Sequence, residues 1–378
     1  MTNTVELNTN IAGDHWGRSR DIVIELPPIA ESGNYPLTVN VPKANDNDNQ
    51  DVNPTSEGMV NIMDFVPVHR ALVEEYTGTW CGWCTRGLVA MKMLAEAYGD
   101  DFIGVAYHNS DPMAITQDYP SPVQGFPSAF VERNYEVDPY YGYEQAGFGM
   151  KDLVDYVMGQ LAVVDLNVKA DWADEARTEI KATVESNFVM NADGSDYGIE
   201  VMLVEDDMYG PAGTEWDQHN YYATMADEYG SDPDLGPLCE QPETIEGYHF
   251  NDVLVATSGV IEESLPEAIV ANTVNNYEHS FYVDYIYNLN YEPIIQNKDQ
   301  LHVVAIVVDK ATGKVLNAAK AKVGATAINE ITDELKEVAS TTYFDLTGRR
   351  VSNPDAGIYV KVVRYTDGSQ RSFKVLKK

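Results

Sequence analysis

Two of the three cysteines in this 378-residue chain are Cys81 and Cys84, with only Gly82 and Trp83 between them. An apolar run, Ala71-Leu72-Val73, leads into the pair. A helical pattern leads out, with Leu88, Met91, Ala95 and Tyr98 spaced to share a face. The spacing predicts a strand that ends and a helix that begins at the cysteines. Cys81 then sits at or near the N-cap and Cys84 inside the first turn. Free backbone N–H groups and the helix dipole at that place favour a thiolate.

The rest of the cysteine count narrows the chemistry. One close pair and an odd thiol, Cys239, exclude a small domain held by many disulfides. Zinc needs four ligands, and one pair without a second pair or spaced histidines does not provide them. Charge narrows the partners. Sixty acidic residues against 25 basic ones give a net charge of −35, the wrong sign for nucleic acid or an anionic membrane surface. No apolar run approaches the roughly 20 residues of a membrane helix, so no transmembrane segment is expected. The N-terminus has neither a basic nor an apolar targeting region, and the expectation is a mature or truncated chain.

Four regions follow from the pattern. Residues 1–66 read as β, with short extended runs at 5–8, 21–26, 37–41 and 59–65. Four strands are few for a complete sandwich. The acidic loop 45–54 reads as a solvated hairpin loop rather than a calcium site, since it lacks the glycine and distal glutamate of a calcium-binding loop. Residues 67–165 alternate strand and helix: a strand over 102–108, a strand opened by Phe126-Pro127, and a closing helix over 150–161 whose face is Leu153, Val154, Val157 and Leu161. The Tyr- and Gly-rich stretch 134–147 reads as loop. Residues 166–326 return to β, with Ile180, Ala182, Val184 and Ile199, Val201, Leu203 alternating with polar neighbours. The stretch 208–246 reads as a long loop carrying Cys239. The last region, 327–378, turns basic: from Gly348 on there are eight Lys or Arg and two Asp.

Three resemblances rest on these residues. Trp80-Cys81-Gly82-Trp83-Cys84, followed downstream by Phe126-Pro127 before a strand, resembles the active site of thioredoxin-fold proteins. That resemblance implies a cis proline facing the cysteine pair. The block Asp345-Leu346-Thr347-Gly348-Arg349-Arg350-Val351, Gly357-Ile358-Tyr359-Val360 and Lys374-Val375-Leu376-Lys377 resembles the C-terminal sorting domain of the type IX secretion system of Bacteroidetes. It implies an extracytoplasmic protein, periplasmic, at the outer-membrane surface or secreted. The order of parts over residues 68–325, with Glu246-Gly247-Tyr248-His249-Phe250-Asn251 and Lys314-Val315-Leu316-Asn317-Ala318-Ala319-Lys320, resembles the Bacteroidetes outer-membrane family named for a twenty-eight-kilodalton antigen. The expected fold is multidomain α+β: a thioredoxin-like α/β domain flanked by immunoglobulin-like β-sandwich domains.

The thioredoxin resemblance assigns roles. Cys81 is the expected nucleophile and Cys84 the resolving thiol in exchange with protein thiols or disulfides. A helix terminus contributes about 1–2 kcal/mol, enough to take a thiol from ~8.5 toward ~7. Pro127 shapes the cleft. Glu75 falls where thioredoxins carry a buried acid, although Glu74 competes for the inward direction. Trp83 carries no charge, so the redox direction stays open, and Arg86 is expected to point away from Cys81. No cofactor and no metal is called for. His108, Asn109 and Asp111 read as a capped turn before Pro112. The competing reading is a surface binding or adhesion protein, in which the pair is a structural disulfide and the sandwiches do the binding.

Overall fold

Gly33, Pro54 and the asparagines between them punctuate the early chain, and the extended runs they bound pair as a hairpin. The computed structural model describes residues 29, 33–44, 47–50, 53–63, 65–142, 147–324, 338–344, 350–351, 357–365 and 370–377. Strand β1 (Gly33–Asn40) pairs antiparallel with β2 (Thr55–Ile62), Gly33 opposite Ile62 and Asn40 opposite Thr55. Lys43–Ala44 pairs with Asn47–Asp48 toward the tip. The strands expected over 5–8 and 21–26 lie outside the described residues, as do Asn45, Asp46 and Asp51 of the acidic loop. The hairpin belongs to a first compact unit, Met1–Met63; the second is Asp64–Lys378.

In the second unit, β3 (Ala71–Thr77) and β4 (Phe102–His108) are buried at every position, as suits strands covered on both faces. They pair in parallel, Ala71 opposite Phe102 and Thr77 opposite His108, joined by helix α1 (Thr85–Tyr98). Strand β5 (Ser128–Val131) pairs antiparallel with β3, and β6 (Tyr135–Val137) with β5. Helix α2 (Gly149–Gly159) closes this part. Then come β7 (Val164–Trp172), β8 (Glu179–Phe188), β9 (Tyr197–Glu205), β10 (Val253–Ile261), β11 (Val274–Tyr282), β12 (Leu301–Asp309) and β13 (Val315–Lys322). Apart from short bridges, they complete two sheets. One has three strands in the order β11-β8-β7; the other has eight, β13-β12-β9-β10-β4-β3-β5-β6.

That eight-stranded sheet takes strands from both sides of residue 165. Strand β10 joins β4 in parallel, Val253 opposite Ala106, and Ala106 N–H donates to the Asp252 carbonyl at 2.7 Å. The cysteine-bearing region and the later β region therefore share one sheet and one core. On one face, Leu72, Tyr76, Ile103 and Val105 cluster with Met202, Leu254, Val304 and Ile306. On the other, α1 and α2 cover Ala71, Val73, Ala129 and Val131. The three-stranded sheet packs Leu166, Ile180 and Val184 against Val201, Leu203, Val303 and Val307.

Both helices differ in detail from expectation. α1 buries Gly87, Ala90, Met91 and Leu94, while Ala95 is exposed. Leu94 and Met91 each contribute about 1.5–3 kcal/mol by burial. α2 buries Met150, Val154 and Val157, and Leu161 lies beyond its end, exposed. Strand β6 lies within the stretch expected to be loop. In the tail, β14 (Val338–Phe344), β15 (Gly357–Tyr365) and β16 (Gln370–Lys377) form a four-stranded antiparallel sheet with Arg350–Val351. The connecting residues 345–349, 352–356 and 366–369 of the sorting-type block lie outside the described residues. Among the described residues no helix is long and apolar enough to cross a membrane.

Candidate active site

At the end of β3 the chain turns through Gly78, whose carbonyl accepts the Cys81 N–H at 3.0 Å. A Cβ at Gly78 would stand 2.7 Å from Trp80 Nε1 and 3.1 Å from the Asn109 carbonyl, so the turn requires glycine. Cys84 N–H donates to Cys81 O at 3.0 Å, and Gly87 and Leu88 N–H both donate to Cys84 O. The N-cap of α1 is therefore Cys84, and Cys81 lies one turn earlier than expected. The two cysteines form a disulfide, with their Cα atoms 5.3 Å apart.

The expected nucleophile is covered: Cys81 is 5% exposed and Cys84 fully buried. The cover is the excursion of residues 206–252 between β9 and β10. Gln218 Nε2 donates to Cys81 O at 3.0 Å, Tyr221 N–H to Gly82 O at 3.0 Å, and His219 N–H to Thr79 O at 2.7 Å. Tyr221 and Tyr222 meet the Trp83 ring edge to face at 5.5 and 5.7 Å. A Cβ at Gly82 would come within 2.4 Å of the Tyr221 ring, so glycine lets the cover close. The excursion holds short helices at Ala226–Tyr229 and Gly236–Cys239 rather than loop alone. Its Tyr222, Tyr229, Leu235 and Leu238 join the core beneath α1 and α2. Its Gly, Pro, Asp and Tyr content reads locally as loop, and periodicity carries no signal that it folds back.

Beneath the helix start, three residues converge. The Phe126–Pro127 bond is cis and Pro127 is buried. A Cβ at Gly87 would lie 2.0 Å from Glu75 Oε1 and 3.4 Å from Pro127 Cβ. Glu75 is buried, and neither carboxyl oxygen has a hydrogen-bond partner. Burial, with a smaller push from the Asp252 carboxylate, raises its pKa to about 8. Gly87 was not singled out by the sequence; its only signal is a glycine inside a helical pattern, one turn after a cysteine. Gly87→Ala should displace the Glu75 carboxyl or the helix start and cost about 1–3 kcal/mol, read as a drop in the urea midpoint.

Glu74 is buried too, on the opposite face of β3. It accepts from Arg133 Nη2 at 2.6 Å, and Arg133 Nη1 donates to Glu200 Oε2 at 2.7 Å. Of the two acids, Glu75 is thus the one on the helix side. Arg86 turns away from Cys81 to Asp138, at 2.6 Å. His108 and Asp111 brace the turn before the cysteines: Asp111 Oδ2 takes the Thr79 N–H at 3.0 Å and faces His108 Nδ1 at 2.7 Å. The Asn109 carbonyl accepts from Trp80 Nε1 at 2.7 Å. Cys239 is a free, half-buried thiol, raised in pKa by burial. His249 pairs with Asp207 at 2.6 Å, and among the described residues no group of three or more His, Cys, Asp or Glu could hold a metal.

No family model matches the chain, and no curated protein matches it significantly. Among solved structures, HBP35 of Porphyromonas gingivalis aligns over 82% of this chain and 99% of that one, at 18% identity and a TM-score of 0.45. A domain of the outer membrane lipoprotein Omp28 from the same organism aligns over 43% and 88%, at 15% identity and a TM-score of 0.22. A protein from Agrobacterium tumefaciens aligns over 68% and 95%, at 12% identity and a TM-score of 0.35. Likenesses of this strength leave the site to be read from its own residues.

Proposed function

We propose that this is an extracytoplasmic protein that exchanges thiols and disulfides with protein substrates through Cys81 and Cys84. The extracytoplasmic setting rests on the sorting-type tail and on a disulfide that persists where the surroundings oxidise. The observation that carries the reaction is Glu75. An unpartnered carboxyl against the first turn of the helix that follows the pair is costly to bury, and an architectural disulfide has no use for it. Perturbed acids of this kind cluster where protons move.

In the reduced state, Cys81 thiolate attacks a substrate disulfide, forms a mixed disulfide and releases one substrate thiolate. Cys84 gives its proton to Glu75 and attacks the Cys81 sulfur. The Cys81–Cys84 bond forms, the second substrate thiolate leaves, and two electrons have passed to the substrate. Pro127 lacks an N–H and shapes the wall beside the pair. The excursion must swing aside for a protein substrate to reach Cys81.

One observation favours the rival reading, a surface binding protein with an architectural disulfide: the cover itself. Both readings are separated by insulin reduction and by alkylation of reduced Cys81 near neutral pH. Exchange predicts that wild type is active and that Cys81→Ser and Cys84→Ala are both inactive. Cys84→Ala should also trap mixed disulfides through Cys81. Gln218→Ala removes the cover's hydrogen bond to the Cys81 carbonyl, about 0.5–1.5 kcal/mol, along with one to the His219 carbonyl within the cover, and should speed alkylation of Cys81 by up to about tenfold. A wild-type protein inert in both assays leaves the binding reading standing.

A further inference from the structure

The turn before Cys81 borders a cavity of about 440 Å³, lined among others by Thr79, Trp80, Ser110, Glu215, Asp217 and His219. Its acidic residues come from the cover, its indole from the cysteine turn. Among the described residues no lysine or arginine lines it. Asp217 is 5% exposed; its Oδ2 accepts the Gly213 N–H at 2.6 Å, but its buried Oδ1 has no partner. Glu215 is exposed, and among the described residues its carboxylate pairs with nothing, since only its backbone carbonyl is engaged, by Thr79 Oγ1 at 2.8 Å. Trp80 is 43% exposed yet held in place, its Nε1 bound to the Asn109 carbonyl and its ring edge to face with Phe126 at 5.6 Å.

A buried carboxylate oxygen without a donor, a second free carboxylate and a fixed, exposed indole describe one complement. That complement is flat, cationic and rich in N–H donors. A guanidinium meets all three: it can donate to both carboxylates and lie over the indole. An ammonium, a compact point charge, uses the indole less well and donates in fewer directions. We propose that this cavity binds an arginine side chain of a polypeptide, so that the protein selects arginine-bearing substrates next to the cysteine pair. The substrate part of this inference rests on the exchange reading; the binding part does not.

The test therefore uses the oxidised full-length protein and peptides without sulfur. Acetyl-Gly-Arg-Gly-amide, its lysine analogue and its norleucine analogue are titrated, and Trp fluorescence and calorimetry follow binding. The arginine peptide should bind at least about tenfold tighter than the norleucine peptide, with lysine between them, and should weaken as salt rises. Glu215→Gln and Trp80→Ala, both at exposed positions, should each remove most of the preference. Asp217→Asn should abolish it, and the other two variants decide the matter should loss of the Gly213 contact unfold it. Equal binding of the arginine and norleucine peptides overturns the proposal, as does a preference untouched by Glu215→Gln. An arginine preference without insulin reduction sinks the exchange reading and leaves the cavity assignment intact. Insulin reduction without a preference does the reverse.

Discussion

Glu75→Gln should make the protein more stable in base and slower at exchange. Glu75 is wholly buried, and its pKa rises from 4.5 to about 8. Between those values the folded chain keeps a proton that the unfolded chain has released. Stability contributed by this group is therefore complete below pH ~4.5, falls as pH climbs, and levels off above ~8. The whole decline is of the order of 5 kcal/mol, at about 1.4 kcal/mol per pKa unit. Glutamine imitates the protonated acid at every pH. The variant should match wild type near pH ~5 and exceed it by several kcal/mol near pH ~9, measured by urea unfolding at both. Exchange should move the other way. Without a base for the Cys84 proton, resolution of the mixed disulfide should slow about 10²-fold, and the rise of rate with pH through ~8 should vanish. A variant equally stabilised at both pH values, with an unchanged pH–rate profile, would refute the proton-carrying role. Such a trade of stability for reactivity is expected where a strained group is kept for use.

The parts of this fold that were legible in the sequence are those encoded locally. The apolar runs of β3 and β4, the helix after the cysteines and the proline opening β5 each carry their pattern within a few residues. Strand β6 was not legible, because the turn before it lacks the usual residues. It follows a three-residue connection, 132–134, in which Glu132 and Arg133 are both at positive φ, 54° and 53°. Hairpin turns usually announce themselves with Asn-Gly or Asp-Gly, and here two charged residues take the left-handed conformation. What holds them is remote in sequence: Glu132 reaches His69 at 2.6 Å, and Arg133 reaches Glu74 and Glu200. The shared sheet escaped notice likewise, because Val253 and Ala106 meet across almost 150 residues of chain. Cys81, Cys84, Glu75 and Pro127 were candidates by type, order and resemblance, and the fold brings Glu75 and Pro127 together against Gly87. The cover over the cysteines could not be picked out, since Gln218 and Tyr221 carry no local mark of what they touch.

Arg133→Met should destabilise the protein by about 3–5 kcal/mol at neutral pH. The guanidinium lies between two buried carboxylates, its side chain 5% exposed and those of Glu74 and Glu200 at 0% and 5%. Removing it strands both acids away from water, which costs far more than the ion cluster contributes when intact. The backbone angle does not confuse the comparison, because methionine is as uncomfortable as arginine at φ 53°. Acid should rescue the variant in part, since burial already raises the Glu74 pKa and a protonated Glu74 no longer repels its neighbour. The triple variant Glu74→Gln, Arg133→Met, Glu200→Gln should recover most of the loss, a coupling that a double-mutant analysis reads directly. Function enters through position. Arg133 sits in the turn after β5, the strand that Pro127 opens, and ties that hairpin to β9. If the tie is what keeps the wall beside the disulfide in register, the single variant should alkylate Cys81 faster than wild type after reduction, and the triple variant should not. Equal midpoints for wild type and Arg133→Met in urea would show that the cluster contributes nothing to holding the sheet together.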